Sequence, residues 1–297
     1  MSLAHAQTNV GANLFASCPP CAATNRQQTR PSKSAERGFT LVELIMVIAL
    51  AGIVAVMIST VMSRPLQGFV DQSRRAELTD LAASALNRMA RDIRLAVPNS
   101  ISTKGNGVYF VPIEAAGRYR GNLAGSIACP VSPAECDIDI LSPIRPAKSE
   151  VGVKHWLIIY NTEPLIDRPE PSDNGNDVIS PKEFTWGNGK LSANLNGFSF
   201  KLASPQYRFY LAKEVVGYRC DSEGYLLRET FGRLDLTDQP STAKVIGSIP
   251  EFGCTFTYEP GTNTTNTRNG LVTLRLSLSK DGETITLLQQ VHVDNAP

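Results

Sequence analysis

From Phe39 to Met62 the chain reads FTLVELIMVIALAGIVAVMISTVM, and Glu43 is the only charged residue in that run. A helix rises about 1.5 Å per residue, so this stretch is long enough to cross a hydrocarbon core of about 30 Å. A carboxylate inside such a segment costs roughly 2.5–3.5 kcal/mol at the helix centre and less near an end. Glu43 therefore marks a functional site that needs a partner. Arg37-Gly38 lies just upstream. Cutting between Gly38 and Phe39 would create an α-amino group at Phe39, about one helical turn from Glu43. A neighbouring copy, shifted along its axis, could bring its own amine to this carboxylate.

The hexapeptide Gly38-Phe39-Thr40-Leu41-Val42-Glu43, the long apolar run and the basic residues before the cut occur together. In this combination the chain resembles the type IV pilins and the pseudopilins of type II secretion. The resemblance implies that a prepilin peptidase cuts after Gly38 and methylates the Phe39 amine. It also implies that Glu43 supports methylation and subunit docking. Residues 1–38 would then be a leader, long for the family, with the true start codon left open.

That leader is polar, basic toward its end and without an apolar h-region, unlike a conventional secretory signal. Basic residues before the anchor predict a cytoplasmic N-terminus and a C-terminal part across the inner membrane, in the periplasm. The formal net charge of the chain is +1. Removing Arg26, Arg30, Lys33 and Arg37 along with Glu36 leaves 25 basic and 27 acidic residues, net −2. Neither value makes an electrostatic case for nucleic acid. Cys18 and Cys21 go with the leader, and that lone CxxC lacks the second pair of a metal site. Cys129, Cys136, Cys220 and Cys254 remain. An even number beyond an anchor suits an oxidising compartment. Four cysteines allow three pairings, among which Cys129–Cys136 as a small staple and Cys220–Cys254 as a longer clasp are favoured.

Past Met62, Pro65 can kink or loosen the helix. Leu66, Phe69, Val70, Leu78, Leu81, Ala82, Ala85, Leu86, Met89 and Ile93 then recur at helical spacing and predict an apolar face over 63–97. Pro98 and Asn99 stop the run. From 98 to 297 the pattern changes to short alternating segments. Val108–Val111, Trp156–Tyr160, Phe198–Leu202, Tyr207–Leu211, Val215–Tyr218 and Tyr225–Arg228 read as strands. Val272 to Ser279 and Ile285 to Val293 read as a hairpin around Asp281-Gly282. The stretch from Ile144 to Asn196, interrupted by Pro164, Pro169, Pro171 and Pro181, reads as a loose surface connection. The fold class is α+β: a pilin-like long helix, membrane-spanning in 39–62 and amphipathic in 63–97, packed on a mainly antiparallel β head over 98–297.

The search for chemistry yields little. His155 and His292 read as strand-face residues, and no HExxH, GxSxG or Walker lysine motif occurs. Asp173 and Asp177 are the calcium candidates, in a segment that departs from the calcium-loop pattern because Gly175 takes the third position. No catalytic residue, metal or other cofactor is expected, and the chain reads as a non-enzyme.

Three further stretches sharpen the resemblance toward the minor pilins of the mannose-sensitive haemagglutinin (MSHA) pilus. They are Ala85–Arg94, Ser204–Leu211 and the closing Gln290–Pro297. The partners implied are the prepilin peptidase, other major and minor pilins, the inner-membrane assembly platform and membrane lipid. The product would be a low-copy pilin that helps to initiate or cap a pilus used for surface attachment. A type II secretion pseudopilin and a solitary membrane-anchored binding module are the alternatives.

Overall fold

The computed structural model describes residues 38–121 (63–67 as backbone alone), 127–132, 134–141, 151–187, 189–247, 249–261 and 269–297. Helix α1 runs Leu41–Arg94, with Glu43 in its first turn and Arg91 and Arg94 in its last, each sign favourable at its end of the helix dipole. Pro65 lies within it and removes one donor from the backbone ladder. The chain divides into two compact units, one ending at Thr60 and the other running Val61–Pro297.

In the first unit every described side chain is exposed. Leu41–Met62 has a mean hydropathy of 2.9 and none of its apolar window is buried within the protein. A helix apolar on all sides, with no described residue covering it, matches a hydrocarbon environment.

In the second unit Leu78, Ala82, Ala85, Leu86, Met89, Ala90 and Ile93 are buried. Their spacing keeps one stripe of the helix against the sheets. The predicted face is narrower than expected: Phe69 is 73% exposed, Val70 45% and Leu81 37%. Leu81 sits a residue before Ala82 and so about 100° round the helix from it. Phe69 and Val70 precede the turn at Arg74 and Arg75, where the tip of the covering hairpin ends. The helix also stops at Arg94 and not at Val97. Leu95 and Ala96 donate to Asp92 and Ile93 in a tightened last turn, and Val97 then donates to Val111 at 2.8 Å. Pro98 disfavours α geometry at the residue before it, which frees Val97 for this extended pairing.

The strands are short up to the C-terminal hairpin. They begin with β1 (Ser102–Lys104), β2 (Gly107–Phe110), β3 (Ala115–Arg118), β4 (Glu135–Asp139) and β5 (Trp156–Ile158). Next come β6 (Asn176–Asp177), β7 (Thr185–Gly187), β8 (Lys190–Asn194), β9 (Ser199–Phe200), β10 (Arg208–Ala212) and β11 (Val215–Cys220). The chain closes with β12 (Leu226–Phe231), β13 (Ser241–Ile246), β14 (Glu251–Glu259), β15 (Asn269–Lys280) and β16 (Glu283–Asp294). Pairing is antiparallel except between β6 and β9.

Two sheets share one core with the helix: β1-β2-β11-β12-β13 and β14-β15-β16. Val108, Phe110, Val216, Tyr218 and Leu226 come from the first, and Val272, Leu274, Leu276, Leu278, Val291 and Val293 from the second. Asp281 and Gly282 have φ of 52° and 86° and close the last hairpin. Two positive φ values are what a type I′ turn requires, as the Asp-Gly pair predicts.

The segment before Asn196 is not a loose surface connection. It supplies β5 to β8 and places Trp156, Leu157, Leu165, Val178, Ile179, Phe184, Leu191 and Leu195 in the interior. Its prolines punctuate short strands, so apolar residues are spread over many brief turns and show no long period. The smaller sheets β3-β10-β5 and β4-β8-β7 share a second core, and the other faces of β5 and β10 pack with residues of β2, β11 and β12 in a third.

Both favoured cysteine pairs form disulfides. Cys129–Cys136 staples the approach to β4, with Cα atoms 4.9 Å apart. Cys220–Cys254 joins β11 to β14, and so the two sheets of the main core, across 6.3 Å.

Candidate processing and assembly site

Gly38 and Phe39 precede the first helical turn, and Phe39 is 81% exposed. Thr40 caps that turn. Its hydroxyl oxygen accepts the Glu43 N–H at 3.2 Å, while its carbonyl accepts the Leu44 N–H, also at 3.2 Å. Thr40 and Glu43 hold the first and last positions of a capping box, and Phe39 and Leu44 hold those of a hydrophobic staple. The hexapeptide Gly38–Glu43 is thus also a helix-start signal. It delivers an exposed peptide bond at Gly38-Phe39 followed at once by rigid helix. Thr40 is the residue that the family resemblance passed over. The signal for it was Thr-x-x-Glu ahead of an apolar run.

The Glu43 carboxylate has no protein partner among the described residues, although its backbone N–H is satisfied. A first-turn carboxylate is favourable at the positive end of the helix. An α-amino group at Phe39 would be unfavourable there, and a carboxylate at Glu43 is of the sign that would offset it. Every large apolar side chain from Leu41 to Met62 is more than half exposed, so this helix offers its whole circumference for burial.

The remaining candidates do not assemble into a second site. His155 is buried, exchanging backbone hydrogen bonds with Phe184, whereas His292 lies on the exposed face of β16. Asp177 accepts from Arg168 through one carboxylate oxygen and from the Val178 N–H through the other at 2.7 Å. Asp173 is exposed in the preceding turn. Among the described residues no group of three His, Cys, Asp or Glu side chains is placed to hold a metal ion. Cys18, Cys21 and the leader lie outside the described residues.

The other polar clusters of the second unit bind the fold together. Tyr218 donates to Asp92 at 2.6 Å, with Arg228 on the same carboxylate oxygen, which ties the helix to β11 and β12. Burial, then the hydrogen bond to Asp92, pushes the Tyr218 phenol well above its ordinary range. Asn99, at φ 60°, donates to Asn295 and to the Asn161 carbonyl, and Asn295 donates to Tyr258 at 2.8 Å. This network fastens the chain end to the turn that follows the helix.

Comparison with protein families matches residues 33–59 to the prokaryotic N-terminal methylation motif. The matched stretch contains Gly38, Phe39, Thr40 and Glu43. Comparisons with curated proteins and with solved structures give no match. The motif supports a type IV pilin or pseudopilin type of function, structural in character. It implies processing by a prepilin peptidase and association with pilins or a membrane assembly system.

Proposed function

We propose that this chain is a minor pilin of an MSHA-like type IV pilus. In this reading it is held in the bacterial inner membrane by Leu41–Met62, with its N-terminus cytoplasmic and its β head periplasmic. It is cut after Gly38, methylated on Phe39 and drawn into the filament. One observation carries the reading: the methylation motif coincides with a capped, uncovered apolar helix whose single charge, Glu43, has no side-chain partner among the described residues. Withdrawal from lipid into a bundle of like helices gives Glu43 the amine of a neighbour and leaves the apolar circumference covered.

The finer assignment rests on the likeness of Ala85–Arg94, Ser204–Leu211 and Gln290–Pro297 to the MSHA pilus biogenesis protein MshO. A head spanning 98–297 also crowds a closely repeated shaft, which favours a low-copy subunit that starts or caps the filament. The test is the mass of the N-terminal peptide of protein recovered from membranes. A peptide beginning at Phe39 and one methyl group heavier is the expected result. An intact leader in cells with an active prepilin peptidase refutes the reading. Neighbouring genes for a major pilin, as against a run of secretion genes, separate the MSHA reading from a type II secretion pseudopilin.

A further inference from the structure

The sheet β14-β15-β16 is closed on one side and open on the other. On the β14 side it meets β1, β2 and β11 and is tied there by Cys220–Cys254. On the β16 side no described residue pairs with the strand. The two-residue turn makes Lys280↔Glu283 a hydrogen-bonded pair, so odd-numbered residues of β16 bond β15. The N–H and C=O groups of Thr284, Thr286, Leu288, Gln290, His292 and Asp294 therefore point away from β15. Hydroxyl contacts at 3.0 Å across Ser277/Thr286 and Thr284/Ser279 fall at the close, non-bonded pairs that this alternation demands. Register is unbroken from Glu283 to Asp294.

Proteins normally blunt such an edge with charge, proline, a bulge or a covering element. From Thr284 to Val293 this edge has no charged residue, no proline, no glycine and no bulge. We infer that the outer edge of β16 is a strand-addition site that takes an uncharged, β-branched or aliphatic strand from another protein subunit. Acidic groups stand only at the two ends, Glu283 and Asp294, and Glu283 is already held by Arg75. An uncharged strand with a basic residue opposite Asp294 complements this row.

A second copy pairing β16 to β16 does not fit. The helix and β16 run the same way: Arg75 meets Glu283 and Asn87 meets Gln289. The steps between those contacts are about 18 Å along the helix and about 20 Å along the strand. Antiparallel self-pairing would reverse the second helix. The two Val61 ends, from which the apolar segments leave, would then lie at opposite ends of the pair. Two copies held in one membrane do not pair in that way, so the added strand belongs to a different edge of a neighbouring subunit. This partner class rests on the filament reading proposed above.

The test uses the full chain in cells that assemble filaments. Leu288→Pro removes an outward N–H without touching the β15 ladder, and Thr286→Lys with Leu288→Lys adds charge to the edge. Thr257→Lys, on the exposed face of β14, is the control. Recovery of the chain in sheared filaments is expected to drop about tenfold for the edge variants and to stay unchanged for the control. The thermal midpoint should stay near wild type, and if Leu288→Pro fails to fold the double lysine variant decides. Wild-type incorporation of a folded edge variant overturns the inference. Hydrogen exchange of wild-type protein in filaments and in detergent provides the second readout. The edge amides of 284–292 should be slow only in filaments, and fast exchange in both overturns the inference. If Phe39 is never exposed by cleavage, the filament reading fails separately. Exchange measured in the native membrane then decides the edge, with slow edge amides supporting strand addition and fast ones overturning it.

Discussion

Replacing Arg219 with alanine tests how the five-stranded sheet tolerates a charge in its interior. Glu229 on β12 has a side chain only 4% exposed, and Arg219 on β11 donates to its Oε1 from Nε at 2.9 Å and from a terminal nitrogen at 2.7 Å. Tyr109 closes the same site. Its ring lies so tightly over Gly217 that a Cβ there would sit 2.4 Å from a ring carbon. Burial, and next the Glu229 carboxylate, push the Tyr109 phenol up. Removing one partner of a buried pair costs about 3–5 kcal/mol. Arg219 is itself 39% exposed, so water follows the deleted side chain and the low end, about 3 kcal/mol, applies. For a unit of this size that is a fall of about 6–12 °C in thermal midpoint, read by near-ultraviolet circular dichroism of the full chain in detergent. Adding Glu229→Gln should recover part of the loss. A penalty below about 1 kcal/mol, or no recovery on adding Glu229→Gln, would show that the pair contributes no more than a surface ion pair.

Three other perturbations test separate links. Glu43→Ala should lower incorporation into filaments while leaving the head's thermal midpoint unchanged, and equal incorporation in sheared filament preparations would remove the charge-pairing role. Cys220→Ser with Cys254→Ser should cost about 4 kcal/mol, against about 2.5 kcal/mol for the shorter Cys129–Cys136 loop, because the longer loop restrains the unfolded chain more. Urea unfolding midpoints in the reverse order would contradict that. Burial, and next the hydrogen bond to Asp92, raise the Tyr218 phenol above its ordinary value of 10.0, so its contribution is full below about pH 10 and is lost as pH rises through the folded value. Tyr218→Phe should therefore flatten the alkaline limb of a stability–pH profile, and an unchanged limb would assign the loss to other groups.

The end of α1 and the segment before Asn196 show where sequence patterns run out. Pro98 marks a helix stop, yet the last helical residue depends on Val111 and Ile113 being at hand to pair with Val97 and Leu95. In β4, Cys136 and Ile138 alternate with exposed Glu135, Asp137 and Asp139, a strand pattern in plain view but too short and too acidic to stand out. β13 is mostly exposed, so it carries no apolar alternation to detect. Arg219 and Glu229 look like ordinary surface charges until β11 and β12 pair and Tyr109 covers them.

The sequence by itself determined the long apolar run, the methylation motif, the helix cap and the last hairpin. Each depends on neighbours within a turn or two: an apolar run long enough for a bilayer, Thr40 three residues before Glu43, and Asp281-Gly282 between two alternating strands. Tertiary structure decided which helix face is covered, the exchange partners of Glu229, the Asn99–Asn295 fastening and the open flank of β16. Those are set by contacts between residues far apart in the chain, and a local pattern holds no record of which distant strand will supply them.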